Sequence, residues 1–144
     1  MEDSLLERKL ASEAGAWARE HLATDVVAWF TTVAPDGTPQ SSPISFLWDG
    51  ATIFFYSQPD TPKLRNIAAS PRVAFTLRGD DHADHLLVIE GDAAIDRSIP
   101  PSDVHEAYRA KYAAPLAHWG MDEADTARSF SVPVRITPTR VRLG

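Results

Sequence analysis

The sequence predicts a mainly β fold, a small antiparallel barrel of six strands closed by peripheral helices. Runs rich in β-branched and aromatic residues recur along the chain, each bounded by Gly, Pro, Asp or Ser. The connections between the first three are too short for a helical crossover, so those strands pair antiparallel. Helical patterning interrupts the series after the third run and again before the last, which places helices at the ends or mouth of a barrel rather than in a parallel α/β array.

Each element has its own warrant. Ser4 and Glu7 have the spacing of a capping box. Leu5, Leu6, Leu10, Ala14, Trp17, Ala18 and Leu22 then recur near helical period, so an amphipathic helix is expected over 4–22. Val26 to Val33 is the first strand, and Pro35, Asp36 and Gly37 turn the chain. A second strand runs from Pro39 to Trp48 and ends at Asp49-Gly50, a strong hairpin signal. Ala51 to Ser57 completes a meander. Thr61 is placed as an N-cap with Pro62 at the first helical position, and this helix runs to Ser70, before Pro71. Arg72 to Leu77 is a fourth strand and Gly79 to Asp84 a polar turn. Leu86 to Ile95 is a fifth strand, in which Gly91 suggests a bulge or a close backbone approach. After Pro100-Pro101, Ser102 starts a helix through Tyr112, and a shorter helical stretch spans Met121 to Arg128. Val132 to Leu143 is the sixth strand. The expected organisation is one domain over 1–144, with an N-terminal helix at 4–22, a barrel core at 25–96 and 132–143, and a helical insertion at 101–130.

Composition narrows the function. The 144 residues are 44% hydrophobic and 24% charged, values of an ordinary globular protein. No apolar run approaches the roughly 18 residues of a membrane span, and the N-terminus is too charged for a secretory signal, so a cytoplasmic protein without a membrane partner is expected. With no cysteine, disulfides, thiolate nucleophiles and cysteine metal sites are excluded. A net charge of −6 argues against nucleic-acid binding, which needs a basic face.

Against that acidic background, residues 62–79 carry Lys63, Arg65, Arg72 and Arg78 and no acid. Lys63 and Arg65 fall in the first turn of the helix opened by Thr61, where the dipole mildly disfavours cations and free N–H groups point outward. Solvated surface charge is one reading; a built site for an anion, most plausibly a phosphate, is the other. Elsewhere the chemistry is sparse. His82 and His85 sit in a turn without specific ligand spacing, and His21, His105 and His118 are scattered. Asp80, Asp81, Asp122, Glu123 and Asp125 suit turns and helix starts, and no serine has a nucleophile-elbow context. No metal site and no catalytic residue is therefore assigned. Trp29, Phe30, Phe46, Trp48, Phe54, Phe55 and Tyr56 put rings on both faces of the first three strands; the second face belongs to a dimer interface or to a planar ligand. Trp119, flanked by His118 and Gly120, suits a lid or an interface anchor.

Taken in order, these residues resemble the pyridoxamine-phosphate-oxidase-like flavin-binding split-barrel family, and within it the flavin and deazaflavin oxidoreductases. The resemblance is carried by Asp36-Gly37-Thr38-Pro39-Gln40 with Ser41 to Ile44, by Phe46 to Gly50, by Tyr56-Ser57 with Lys63, Arg65, Asn66 and Ile67, by Ser70 to Val73, and by Glu90-Gly91. It covers about residues 24 to 96, and Thr139-Arg140-Val141 also fits. The fold it implies is a six-stranded antiparallel split β-barrel of Greek-key type, as a homodimer with the cofactor between subunits. By resemblance, Ser57, Lys63, Arg65 and Asn66, with Tyr56 beside them, would hold the cofactor phosphate. Ser41, Ser42, Pro43, Ile44 and Ser45 would meet the ring edge. The cofactor implied is coenzyme F-420, a deazaflavin, or FMN, and the reaction a hydride transfer to a small unsaturated or quinone-like acceptor. Pro62-Lys63 stands where pyridoxamine phosphate oxidases carry adjacent Arg and Lys, and the chain stops at Gly144, short of their longer C-terminal segment; vitamin B6 oxidase activity is not expected. An FMN enzyme, or a non-catalytic flavin- or haem-binding protein, is the alternative.

Overall fold

The structure, a computed structural model, describes residues 3–144. Seven strands form one curled antiparallel sheet, a half-barrel with helices around it. The strands are β1 (Ala28–Val33), β2 (Pro39–Ile44), β3 (Leu47–Trp48), β4 (Ile53–Ser57), β5 (Arg72–Thr76), β6 (Leu87–Ile95) and β7 (Val132–Leu143). Their order is β2-β1-β5-β6-β7-β4-β3, and every pairing is antiparallel. The strand expected over 39–48 is divided, so there are seven strands instead of six. Its halves lie at opposite edges of the sheet, and Ser45 and Phe46 carry the chain from one to the other. Gly91 behaves as its sequence context suggests: the register shifts between Glu90 and Gly91, and a Cβ at Gly91 would lie 2.4 Å from the Thr137 carbonyl oxygen.

The expected N-terminal helix is also divided, into α1 (Leu5–Leu10), a 3-10 turn over Glu13–Gly15, and α2 (Ala16–Thr24). The Ser4–Glu7 capping box opens α1. The break has two causes. Gly15 packs so closely on the end of α1 that a Cβ there would lie 2.4 Å from the Leu10 carbonyl oxygen, and the Arg19 guanidinium donates to the carbonyls of Leu10 and Ser12, taking acceptors a continuous helix would use.

The third helix, α3 (Pro62–Ala69), starts at Thr61 with Pro62 in its first turn. The Thr61 hydroxyl makes no capping bond and instead meets the Ser57 hydroxyl at 3.1 Å. Helix α4 (Glu106–Trp119) begins later and runs further than the helix expected over 102–112. Its N-cap is His105, whose Nδ1 accepts from the Tyr108 N–H at 3.2 Å, and Gly120 in the left-handed region (φ 68°) ends it. Helix α5 (Glu123–Ser129) follows, capped by the Asp122 carboxylate. No helix of the described residues is long and apolar enough to cross a membrane.

Two apolar clusters result from the alternation along β4, whose five residues are all buried. Ile53 and Phe55 join Phe30, Phe46, Phe75, Ile89, Val134 and Ile136 in the main core. Phe54 and Tyr56 face the other way and pack with Ile99, Tyr108 and Tyr112. The second face of this strand is thus covered by the chain's own insertion, and not by a dimer partner or a planar ligand alone.

Candidate functional site

A cavity of about 300 Å³ lies between the sheet and the insertion. The sheet side supplies Val27, Pro43, Ile44, Ser45, Tyr56 and Lys63; α4 supplies Tyr108, Arg109, Tyr112, Leu116 and Trp119; and Met121, Glu123, Thr126 and Phe130 close it from α5 and its flanks. Tyr108, Tyr112 and Leu116 recur every four residues and so share one face of α4. That spacing was visible in the sequence, but a helix expected to end at Tyr112 stops short of it. Trp119 lines the cavity and is 41% exposed, with Met121 at 39% beside it. His118 is exposed and points to no wall of the cavity.

The Tyr112 hydroxyl holds the sheet-side wall in place. It accepts from the Phe46 N–H at 2.7 Å and lies 2.8 Å from the Val26 carbonyl and 3.0 Å from that of Phe46. The start of β1, the step between β2 and β3, and α4 therefore meet at one oxygen. Lys111 adds a bond from Nζ to the Phe46 carbonyl at 2.9 Å and sits over the Phe46 ring at 3.8 Å. Burial pushes its amine down to about 8, against the opposing pull of Asp25. Removing the hydroxyl takes this partner from the buried Phe46 N–H and from the Val26 carbonyl, so Tyr112→Phe is expected to lower the unfolding free energy by about 1–3 kcal/mol, measured by urea denaturation.

The tyrosines form a connected aromatic set. Tyr108 stacks on Tyr112 with centroids 4.6 Å apart, and Tyr56 meets Tyr108 edge-on at 5.0 Å. Burial pushes the phenols of Tyr56 and Tyr112 up to about 12, and that of Tyr108 higher still. These rings are neutral walls, and none is placed to act as a base near neutrality. The Tyr56 hydroxyl is tied to the Pro100 carbonyl at 2.5 Å.

Two cations reach the cavity. Arg109 is paired with Glu123. Lys63, at the start of α3, has no ion-pair partner among the described residues, and burial alone pushes its amine below the usual lysine range. A partly buried, uncompensated ammonium is costly unless an anion arrives to meet it.

Of the residues expected to hold a cofactor, the structure brings Pro43, Ile44, Ser45, Tyr56 and Lys63 to this cavity. The other five lie elsewhere. The Ser57 hydroxyl, 1% exposed, donates to the Gln58 carbonyl at 2.7 Å. The Asn66 amide, 4% exposed, clamps α3 to the sheet through Thr32 Oγ1 at 2.9 Å and Gln40 Oε1 at 2.7 Å. Arg65 turns back to the Asp60 carbonyl at 2.5 Å, which fixes the left-handed turn at Asp60 (φ 61°). Ser41 is bonded to Thr31 at 2.7 Å, and Ser42 follows it along β2, outside the lining. The histidines of the polar turn have a structural setting: His85 Nδ1 lies 2.8 Å from Asp80, and its ring stacks on Trp17, which also stacks on His21. Among the described residues no group of three His, Cys, Asp or Glu side chains could hold a metal ion.

The family model for pyridoxamine 5'-phosphate oxidase matches residues 15–143. No curated protein matches the chain. Among solved structures, an F420 reductase is similar at 25% identity and TM-score 0.63, over 86% of this chain and 94% of its own. A conserved hypothetical protein from Mycobacterium tuberculosis gives 24% identity and TM-score 0.67, over 92% and 83%. The haem storage protein HutZ from Vibrio cholerae gives 15% identity and TM-score 0.64, over 92% and 95%. The last two are likenesses of fold.

Proposed function

The chain belongs to the pyridoxamine 5'-phosphate oxidase family, and from that premise we propose that it is a flavin- or deazaflavin-dependent oxidoreductase. In this reading it passes a hydride from reduced coenzyme F-420 to a small unsaturated or quinone-like acceptor. Lys63 carries the proposal: it is a half-buried cation with no carboxylate partner among the described residues, at a helix start and on the wall of an apolar cavity. The similarity to an F420 reductase supports the deazaflavin over FMN.

The residues present fit such a coenzyme. Lys63, with the free backbone N–H groups of the first turn of α3, would hold a phosphate. Pro43, Ile44 and Ser45 would meet the ring edge. Ser57 and Asn66 shape this cradle from behind, since their side-chain groups already have partners. The coenzyme supplies the redox chemistry; the aromatic and aliphatic walls exclude water, and the cavity orients the acceptor. A volume of about 300 Å³ is at the lower end for small-molecule pockets, about 300 to 1,000 Å³, so it takes a ring or an acceptor while the rest of the coenzyme extends outside. Strand β2, exposed at all but Ser42 and Ile44, and Trp29, 44% exposed on β1, are the surfaces proposed to meet a second subunit across it.

Titrating the purified protein into coenzyme F-420 is expected to quench the deazaflavin fluorescence at micromolar concentration; absence of quenching removes the reading. Flavin absorption bands in the protein as isolated would favour FMN instead. Among the described residues no histidine lines the cavity, so a haem there would have no histidine ligand, and a Soret band on haem addition tests that alternative.

A further inference from the structure

The cavity is electrostatically divided. Among the described residues Lys63 has no ion-pair partner on its sheet side, whereas Arg109, on the insertion side, is neutralised by Glu123. The pair joins α4 to α5 across the turn that follows Trp119 and carries Met121. Glu123 opens α5, where the helix dipole favours a carboxylate. The neighbouring acids are committed elsewhere: Asp122 caps α5, and Asp125 binds Arg128. With side chains 54% and 42% exposed, the pair contributes little to the fold. Around it Leu116, Trp119, Met121 and Phe130 offer flat and polarisable apolar surface.

We infer that Glu123 is a specificity-determining residue: by neutralising Arg109 it reserves the insertion side of the cavity for an uncharged planar acceptor and rejects anionic ones. An anion entering there meets a carboxylate and a guanidinium already engaged. An uncharged ring loses nothing by the pairing. Specificity of this kind comes from the repulsive element as much as from the attractive walls. The inference rests on the reading of this cavity as the acceptor site.

The test uses two isosteric probes, 2-naphthamide and 2-naphthoate, titrated calorimetrically into the protein without coenzyme. Lys63 attracts the carboxylate in every variant, so the informative quantity is the change on substitution. Glu123→Gln is expected to strengthen 2-naphthoate binding about fivefold, the upper range for a partly exposed charge pair, while 2-naphthamide changes by less than about twofold. The added substitution Arg109→Leu should abolish the gain, closing a double-mutant cycle. A gain below about twofold in Glu123→Gln, a gain that persists in the double variant, or a wild-type protein that binds neither probe overturns the inference. Deazaflavin quenching measured on the same preparations separates the two readings. Quenching without the gain overturns only the role of Glu123, and the gain without quenching overturns only the hydride-transfer reading.

Discussion

Lys63→Glu is expected to weaken coenzyme binding by about 1.5 to 3 kcal/mol, roughly ten- to a hundredfold, the scale of a lost charged hydrogen bond plus a new repulsion. The size follows from the setting. An exposed lysine would be screened, but burial already pushes this amine down, so a bound phosphate relieves a cost that the free protein carries. Lys63→Met should lose less, because it removes the attraction without adding a like charge. Arg65→Gln, one helical position from Lys63's neighbour, is expected to leave binding nearly unchanged, because its guanidinium serves the Asp60 carbonyl. Fluorescence titration of the three variants decides the matter. Undiminished binding by Lys63→Glu, or a loss for Arg65→Gln as large as for Lys63→Glu, would remove the phosphate from the start of α3.

The second large effect is on stability. Phe55→Ala is expected to lower the unfolding free energy by about 3–5 kcal/mol in urea denaturation, through lost transfer energy and the void left behind. Phe55 is fully buried, lies 4.8 Å from the Phe30 ring centroid, and belongs to the cluster that joins every part of the sheet. Its neighbour Phe54 provides the contrast. Phe54 packs under the insertion, with Tyr56 at 6.0 Å and His105 at 5.2 Å. Phe54→Ala should therefore loosen α4 first, seen as faster proteolysis within 101–130 before the sheet unfolds. Equal loss of protection in sheet and insertion for both variants would contradict the separation into two clusters.

Local chemistry made much of this fold legible. The Thr61-Pro62 start of α3, the strand at Val132–Leu143 and the bulge at Gly91 each follow from residues within a few positions of the feature. What escaped was decided at long range. Nothing near Ser45 says that the strand must break there; the oxygen holding that corner belongs to Tyr112, 66 residues beyond Phe46. The periodic apolar positions over 4–22 carry no sign of the break, which depends on the close packing of Gly15 against Leu10. His105 is not a customary cap, so the start of α4 was placed at Ser102. The site divides in the same way. Lys63 stood out by its charge and position, and Pro43 to Ser45 by family resemblance, whereas Arg109, Glu123 and Phe130 become partners only through the folding of the insertion.

The two sides of the cavity differ in how freely they can vary. Apart from Lys63 on α3, positions on the sheet side sit in a hydrogen-bonded ladder or next to residues fixed by the Tyr112 hydroxyl, so a change there disturbs the sheet. The insertion side is a pair of helices joined at an exposed turn and bridged at its rim by the Arg109–Glu123 pair. Under the proposed function, changes confined to residues 101–130 would alter the acceptor while the sheet side stayed constant, and a library limited to that segment is the economical way to retarget this scaffold.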